Sequence, residues 1–323
     1  MTLLKKYYSK FFFKQYSIGV VEDTLEEIIR QKKTTFKFEW MPAGHYSVSI
    51  ADPFVFASGN GKINILAEKF TTGNMDGKIC LLNYSKTTGF SKPEIIFDHG
   101  EHLSYPFIFE ENEKMYVLLT ELNGALLCYE YDRVEKKLFN KKAILNFPLI
   151  DATVLTYNNK YWLFGTFEDK GSLGKLYIYY ADHLAGPYTA HPDNPVKDNI
   201  KCSRGAGSFI MVDGNIYRPS QNCSNYYGEA VVINKIVTLS ETEFEEEAYM
   251  TINANNNDEF KFGIHTINTV GNFTIVDGQK GYFQPLSQLF RAVARFLRPH
   301  VSKLSVAFGY MHSIQFIDSE LIS

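Results

Sequence analysis

Short apolar runs alternate with polar turns along most of the chain, and one arrangement of them recurs five times. In 53–68 and again in 106–121, an apolar run, a tight turn and a second apolar run end on a glutamate. Apolar runs of this length, rich in β-branched and aromatic residues and bounded by turns, predict β-strands. Related units lie at 151–166, 206–218 and 265–275. Each unit therefore predicts a strand, a turn and a second strand.

The spacing of the units predicts the fold class. Their first strands begin 46 to 59 residues apart, and two more strand-like runs follow the hairpin, as at 78–83 and 93–97. Four-stranded units at this period are typical of propeller blades. We therefore predict an all-β protein, a five-bladed β-propeller over residues 36–280. The residues that begin the five first strands are Asp52, Tyr105, Asp151, Ala206 and His265.

The same periodicity predicts where a site would lie. The first strand of each propeller blade lines the central channel, so the residues that begin those strands converge at one mouth. A concave mouth with a few polar side chains is the usual place for a ligand. These five positions are therefore candidate site residues.

Composition and charge narrow the function classes. The 323 residues carry a formal net charge of −3, which argues against a partner that is a nucleic-acid polymer. The four cysteines, at 80, 128, 202 and 223, have no metal-ligand spacing, so we expect reduced, buried thiols. No run approaches the roughly 20 apolar residues of a membrane span, and lysines interrupt the N-terminal apolar residues. We therefore expect a cytoplasmic protein.

The flanks 1–35 and 281–323 differ from the predicted propeller. Each carries an apolar stripe beside basic residues, and the C-terminal stripe has the spacing of an amphipathic helix. Basic amphipathic helices are typical of membrane-surface elements, so we expect binding to an anionic membrane at its inner face. Packing on the propeller or on a partner chain is the alternative. The C-terminal residues are Leu286, Leu289, Phe290, Val293 and Leu297, opposite Arg291, Arg295 and Arg298; the N-terminal ones are Leu3, Leu4, Tyr7, Tyr8, Phe11 and Phe12, beside Lys5, Lys6, Lys10 and Lys14.

A series of short motifs identifies a family. In this order they resemble the five-bladed propeller at the N-terminal region of plant glucosamine inositolphosphorylceramide transferases and of related bacterial proteins. That propeller resembles the glycoside hydrolase family 43 superfamily, so the resemblance, which covers about 15–280, implies a carbohydrate ligand. The motifs are Ala51-Asp52-Pro53-Phe54, His102-Leu-Ser-Tyr-Pro106, Thr120-Glu121, Ile150-Asp151-Ala-Thr153, Trp162-Leu-Phe164, Leu184-Ala-Gly-Pro-Tyr188, His191-Pro-Asp-Asn-Pro195, Tyr217-Arg-Pro-Ser-Gln221 and Gly263-Ile-His-Thr266.

The resemblance implies roles for two aspartates. Inverting glycosidases use two carboxyl groups roughly 6.5–9.5 Å apart, one to activate water and one to protonate the leaving oxygen. Family 43 enzymes are similar to this scheme and add a third acid that orients the second. The first-blade aspartate of that family maps onto Asp52, implying a base, and the third-blade aspartate onto Asp151, implying an orienting and pKa-tuning role. The alternative for each is a structural residue at the start of a strand.

The fourth blade departs from the family pattern. The hydrolases supply their general acid there from a glutamate, whereas 202–207 contains no carboxylate and includes Arg204. A guanidinium stays charged at neutral pH and cannot donate the proton, but it can hold a phosphate or carboxylate bidentately. We therefore expect a substrate with an anionic leaving group, such as a sugar nucleotide or a phosphorylated glycan. A salt bridge between blades is the alternative for Arg204.

The remaining candidates lie around the same mouth. Glu121 and Glu68 end equivalent strands, and we expect Glu121 to replace the missing acid, with an inter-blade hydrogen bond as the alternative. His102 and Tyr105 are expected to hydrogen-bond sugar hydroxyls. Family 43 proteins often place a histidine beside a channel-bound cation, so a divalent cation would lie near His265, although one histidine does not specify a metal. The other expected substrate-binding residues are Arg218 and Gln221.

Three functions fit these residues. We predict glycosyl transfer from a sugar nucleotide or phosphorylated sugar, in glycan or glycolipid biosynthesis. The second is a family-43-like glycoside hydrolase with a relocated general acid, which needs Glu121 or another carboxylate within roughly 10 Å of Asp52. The third is a non-catalytic glycan-binding or scaffold propeller, because fold alone does not decide function.

Overall fold

The computed structural model describes residues 12–283, except 35, 43, 60, 72–75, 122–123, 168–171 and 256–257. Residues Lys14–Gly281 form one compact unit. Within the described residues the strands form five sheets, which confirms the predicted five-bladed β-propeller. The chain begins with β1 (Phe12–Val21), helix α1 (Leu25–Gln31) and β2 (Glu39–Trp40).

The blades follow one another along the chain. Blade one contains β3 (Val48–Gly59), β4 (Lys62–Thr71), β5 (Lys78–Ser85), β6 (Gly89–Phe90) and β7 (Glu94–Phe97). Blade two contains β8 (Phe107–Glu111), β9 (Lys114–Thr120), β10 (Leu126–Asp132) and β11 (Lys137–Leu145). Blade three contains β12 (Ile150–Tyr157), β13 (Lys160–Thr166), β14 (Lys175–Ala181), β15 (Thr189–Ala190) and β16 (Lys197–Asp198), with a 3-10 turn at Ser172–Gly174.

Blade four contains β17 (Ile210–Val212), β18 (Asn215–Asn222), β19 (Ala230–Leu239) and β20 (Phe244–Asn253), and blade five begins with β21 (Ile264–Val270) and β22 (Phe273–Phe283). The first strands of neighbouring blades lie against each other, as β21 does against β3 and β3 against β8. The first strand is therefore innermost, as the periodicity predicts. All blades are antiparallel, which short turns between successive strands allow.

Apolar side chains fill the space between neighbouring blades. Leu66 and Leu81 of blade one belong to one buried cluster with Val117 and Leu119 of blade two. Because each sheet is covered on both faces, its middle strands are buried almost continuously rather than at alternate positions, as β5 is. A blade on its own would expose both faces, so each depends on its neighbours.

Strands from both ends of the chain complete blade five. The sheet order is β2-β1-β22-β21, so β1 pairs with β22 although more than 250 residues separate them in sequence. The Trp40 ring lies across the backbone of Gly19 and Gly278, where a Cβ atom at either glycine would collide with it. Trp40 Nε1 donates to Asp258 Oδ1 (2.8 Å), and its ring packs on Phe260. Side-chain packing thus reinforces the pairing of the two ends.

Helix α1 packs on this closing blade. The Thr24 hydroxyl accepts a hydrogen bond from the Glu27 amide (3.1 Å), which caps the first turn. Leu25, Ile28 and Ile29 are buried in a cluster with residues of blades four and five. Both α1 and β1 come from the segment 1–35 that the sequence analysis set apart from the propeller.

The predicted membrane elements lie almost entirely outside the described residues. All of the C-terminal stripe does, and of the N-terminal stripe only Phe12 is described, as the first residue of β1. Among the described residues no helix is long and apolar enough to cross a membrane. The cysteines at 80, 128, 202 and 223 are buried free thiols.

We expect Gly19→Ala to destabilise the protein by about 1–3 kcal/mol, because the new methyl group would meet the Trp40 ring at 2.7 Å and force the closing strands apart. Urea denaturation followed by tryptophan fluorescence measures the change. Gly44→Ala is the matched control, because nothing lies within 4 Å of a Cβ atom there. Equal unfolding midpoints for the two variants would show that the Trp40 contact does not stabilise closure.

Candidate active site

A β-bulge positions the head residue in blades one, three and five. In each, two residues of the first strand lie opposite one residue of the second, which turns the first side chain towards the channel. The first residues of the three bulges are Asp52, Asp151 and His265. Asp52 and Asp151 both have φ of 51°, a left-handed conformation that costs free energy in a residue other than glycine. The shared backbone geometry explains why sequence periodicity predicts this site.

His265 lies between two buried carboxylates. Its Nδ1 is 2.5 Å from Asp277 Oδ2, and its Nε2 is 3.6 Å from Asp52 Oδ1. Asp52 Oδ1 also accepts a hydrogen bond from the Thr266 hydroxyl (2.8 Å). The Tyr16 ring lies 4.8 Å from the imidazole, centroid to centroid, and the Asp277 carboxylate is fully buried. Blades five and one thus form one side of the mouth together.

This cluster shifts two pKa values. Burial of the imidazole opposes protonation, but the carboxylates of Asp277 and Asp52 outweigh it, so the pKa of His265 is raised. Burial also raises the pKa of Asp52. The charge of His265 opposes this rise and the charges of Asp277 and Asp151 add to it, so the resulting pKa is about 6. Asp52 therefore changes protonation state close to neutral pH, as a general base requires.

Asp151 is paired on the other side of the channel. Its Oδ2 accepts hydrogen bonds from Arg204 Nε (2.5 Å) and Gln221 Nε2 (3.3 Å). The Arg204 guanidinium lies over the Tyr227 ring at 5.2 Å, and the Tyr227 ring lies 5.4 Å from the His265 ring. Burial opposes the charge of Arg204, but Asp151 outweighs it and raises the arginine's pKa. Gln221, predicted to bind substrate, donates from Nε2 to Asp151 and to the Gly205 carbonyl (2.8 Å).

Glu68 is a buried carboxyl group that the sequence analysis did not select as a site residue. It lies within β4, opposite Ala51, and its side chain is 7% exposed. Burial, with the charges of Asp52, Asp151 and Asp277, raises its pKa well above the usual range. His102 Nδ1 lies 3.8 Å from Glu68 Oε1 and accepts a hydrogen bond from the Gly77 amide. The raised pKa of Glu68 favours its protonated form.

Glu121, the expected replacement acid, has different surroundings. Its Oε1 is 2.8 Å from Lys141 Nζ and 3.5 Å from His99 Nε2, and the side chain is 21% exposed. Lys141 thus binds the carboxylate of Glu121 at a half-buried position. Glu68 and Glu121 occupy matching positions of the repeat, but Glu68 is the one that lies buried beside other carboxyl groups.

Two further predicted residues are engaged in the scaffold. The Tyr105 hydroxyl accepts from the Gly207 amide (2.8 Å) and lies 3.2 Å from the Thr153 hydroxyl, so it joins blades two, three and four. Arg218 is buried, and its guanidinium donates to both oxygens of Glu246 and to the carbonyls of 202 and 203. Neither side chain is placed as a free donor for a sugar.

A cation near His265 would have few ligands. One ligand atom each from Asp52, His265 and Asp277 lie within 4.8 Å of one another, a chemically suitable set. Both Asp277 oxygens, however, already accept hydrogen bonds: Oδ2 from the Asp52 amide, and Oδ1 from the amides of His265 and Thr266. The Asp52 carboxylate and His265 Nε2 would therefore be the direct ligands, and water would have to complete the coordination.

The sequence contained one unused signal for this site. Asp277 is the only charged residue between Phe273 and Gln279 and lies opposite the bulge of blade five. A lone acid inside an apolar strand indicates a buried hydrogen-bonding role. Tyr16 and Tyr227 gave no such signal, because aromatic residues are frequent throughout the chain.

Comparison with known proteins supports the family resemblance. Residues 38–267 match the family described as glucosamine inositolphosphorylceramide transferase 1, N-terminal. The curated transferase of that name from rice, Oryza sativa subsp. japonica, is 30% identical over 213 residues, and the one from Arabidopsis thaliana is 30% identical over 206 residues. The matches cover 63% and 61% of this chain but 28% and 26% of the relatives, so the chain spans under a third of their length.

Two solved structures of glycoside hydrolases share the fold. A family 117 glycoside hydrolase from Zobellia galactanivorans is similar with a TM-score of 0.51 and 11% identity, covering 83% of this chain and 91% of that one. A family 43 β-1,3-galactosidase has a TM-score of 0.51 and 10% identity, covering 66% and 81%. At these identities the likeness concerns the propeller fold.

The variant Asp52→Asn tests the raised pKa of Asp52 through the pH dependence of protein stability. A carboxyl group whose folded pKa is raised stabilises the fold while it is protonated, and this contribution is lost as pH rises through about 6. Asparagine carries no charge, so the stability of the variant relative to the parent should rise by about 1 kcal/mol between pH 5 and pH 7.5. Thermal unfolding at the two pH values measures it.

Asp151→Asn is the contrasting variant. It leaves Arg204 without its buried partner, so it should unfold well below the parent at pH 7.5. A stability difference between parent and Asp52→Asn that does not change with pH would contradict the proposed titration of Asp52.

Proposed function

The chain belongs to the glucosamine inositolphosphorylceramide transferase 1 N-terminal family, and from this we propose that its channel mouth binds a glycan or glycolipid and acts on a glycosidic bond. The chain is a glycan-related propeller by family and fold. One observation carries the proposal further: Asp52, whose pKa is raised to about 6, and Glu68, whose pKa is raised well above its usual range, belong to the same group of buried acids. Two carboxyl groups, one acting as base and one as acid, are what chemistry at a glycosidic bond requires.

In the proposed reaction Asp52 is the base. It removes the proton of an acceptor hydroxyl as that oxygen bonds to the anomeric carbon, while the bond to the leaving oxygen breaks. Glu68 donates its proton to that leaving oxygen. Thr266 and His265 hold Asp52 Oδ1, and Asp277 orients His265, so Asp52 Oδ2 is the oxygen proposed to take the proton.

Arg204 supports an anionic substrate. Only its Nε is used by Asp151, and among the described residues no hydrogen bond is made by its two terminal nitrogen atoms. Those atoms could hold a phosphate or carboxylate of the substrate. We therefore favour glycosyl transfer from a sugar nucleotide or phosphorylated sugar, with Arg204 holding the leaving phosphate. Asp151 and Gln221 position the guanidinium.

Hydrolysis is the second candidate, favoured by Glu68 itself. A buried carboxylic acid near Asp52 is the relocated general acid that a family-43-like hydrolase would need. The two reactions differ in whether water or a second sugar attacks. Product analysis with and without an added acceptor separates them.

The variants Glu68→Gln and Glu121→Gln test which glutamate is the general acid. The two residues are a matched pair, because they occupy the same position in the first two repeats but have different surroundings. We expect Glu68→Gln to lower turnover about 100-fold or more while ligand binding changes little, because glutamine cannot donate the proton. Glu121→Gln should stay within about twofold of the parent. Ligands are first identified by thermal shift against sugar nucleotides and short glycans, and turnover is then followed by chromatography.

The outcomes separate the three functions. Equal loss in both glutamine variants, or none in Glu68→Gln, would rule out Glu68 as the acid. Ligand binding without turnover in the parent, and with unchanged affinity in Asp52→Asn, would indicate a glycan-binding or scaffold propeller.

We also propose that the chain works in the cytoplasm, on the inner face of a membrane, through its basic flanks. The arginines at 291, 295 and 298 and the lysines at 5, 6 and 10 would each contribute about 1 kcal/mol near an anionic leaflet. Lys14 is not among them, because its ammonium group lies over the Tyr226 ring and donates to the Tyr227 carbonyl. Sedimentation with anionic liposomes should weaken markedly at high salt and fail in an Arg291→Glu, Arg295→Glu variant. Neutral liposomes are the control, and equal recovery of parent and variant at either salt would assign the flank to protein packing.

A further inference from the structure

A cavity of about 480 Å³ opens between blades one and two, away from the channel mouth. Its lining residues come from strands β4, β5, β6 and β10 and from the turns β5–β6 and β10–β11. The β3–β4 turn lies at the opposite end of β3 from the Asp52 bulge. The seven residues from the bulge to Gly59 span about 23 Å as a strand. The cavity is therefore separate from the proposed active site, and its volume is in the range of small-molecule sites.

The wall of the cavity is polar where apolar packing would be expected. Leu66 and Leu81 pair in register and pack against blade two, as described above. Two residues further along the same face, Asn64 pairs with Asn83. Within the described chain neither carboxamide makes a hydrogen bond to protein, although both side chains are half-buried. Both carboxamides are therefore free to donate to, and accept from, a polar ligand in the cleft.

Three cations surround these amides. Lys62, Arg133 and Lys136 line the cavity, and no carboxylate does so among the described residues. Glu110 pairs with Arg133 (2.5 Å), but no ion pair with a described carboxylate neutralises Lys62 or Lys136. Lys62 and Lys136, which have no such partner, give the cleft a positive potential that attracts an anion.

We propose that this cavity binds a phosphorylated sugar. The phosphate lies between the ammonium groups of Lys62 and Lys136, with Arg133 as a further cation. The sugar hydroxyls meet the carboxamides of Asn64 and Asn83, which can both donate and accept hydrogen bonds. The hydroxyls of Ser85, Thr88 and Ser91 supply further polar contacts at the rim. The ligand is either a free sugar phosphate or the head group of a lipid that carries one.

Isothermal titration of the full chain with glucose 6-phosphate tests the site. A Lys62→Met, Lys136→Met variant should bind about tenfold more weakly for each lysine removed, because each charge-assisted hydrogen bond contributes that much. Asn83→Ala should weaken glucose 6-phosphate but leave inorganic phosphate unchanged. Arg204→Met removes the cation of the proposed active site, so binding of glucose 6-phosphate that persists in this variant and is lost in the double lysine variant belongs to the cavity. The reverse result would assign the binding to the active site and overturn this proposal alone.

Further ligands identify the source and the specificity. Glycerophosphoinositol, a soluble lipid head group, competing as well as the free sugar phosphate would assign the cavity to a lipid head group; much weaker competition would assign it to the free phosphomonoester. Equal affinity for inorganic phosphate and glucose 6-phosphate would mean an adventitious ion only and overturn the proposal. So would unchanged affinity in the double lysine variant, with melting temperatures confirming that it is folded.

Discussion

The carboxylate of Asp277 joins the last blade to the first and builds the site at their junction. It accepts hydrogen bonds from the amides of Asp52, His265 and Thr266 and lies against the His265 imidazole. Because it is fully buried, each of these hydrogen bonds compensates for a charge removed from water. The bulge of blade five, the orientation of His265 and the position of Asp52 all depend on this one group. Closure of the ring and assembly of the site are therefore the same structural event.

Negative charge dominates the interior around this junction. Asp52, Glu68, Asp151 and Asp277 are all buried, and the charges of the three aspartates raise the pKa of Glu68. Arg204 pairs with Asp151, whereas Glu68 lies beside His102. Acids gathered in this way are typical of functional sites. The raised pKa values of Asp52 and Glu68 are the property on which the proposed chemistry depends.

The glutamates at matching positions of the first two repeats illustrate how one repeat acquires two roles. Glu68 is covered by the Gly77 segment and lies beside His102, while Glu121 reaches Lys141 and His99 at the rim. Residues outside the repeat thus give the two carboxyl groups different surroundings. Blade one likewise differs along its length. Leu66 and Leu81 pack against blade two near the middle of the sheet, whereas Asn64, Asn83 and nearby cationic residues line a polar cavity at the far end.

Periodicity determined the fold and much of the site, because strand spacing and the position of each blade head are local properties of the sequence. Asp52, Asp151 and His265 were predictable in this way, since the same bulge recurs in each of their blades. The partners of each head were not. Arg204 with Asp151, and Asp277 with Asp52, meet across blades that are 53 or more residues apart in sequence. The sequence does not distinguish Glu68 from Glu121. The burial and the neighbouring charges that raise the pKa of Glu68 arise only in the packed tertiary structure.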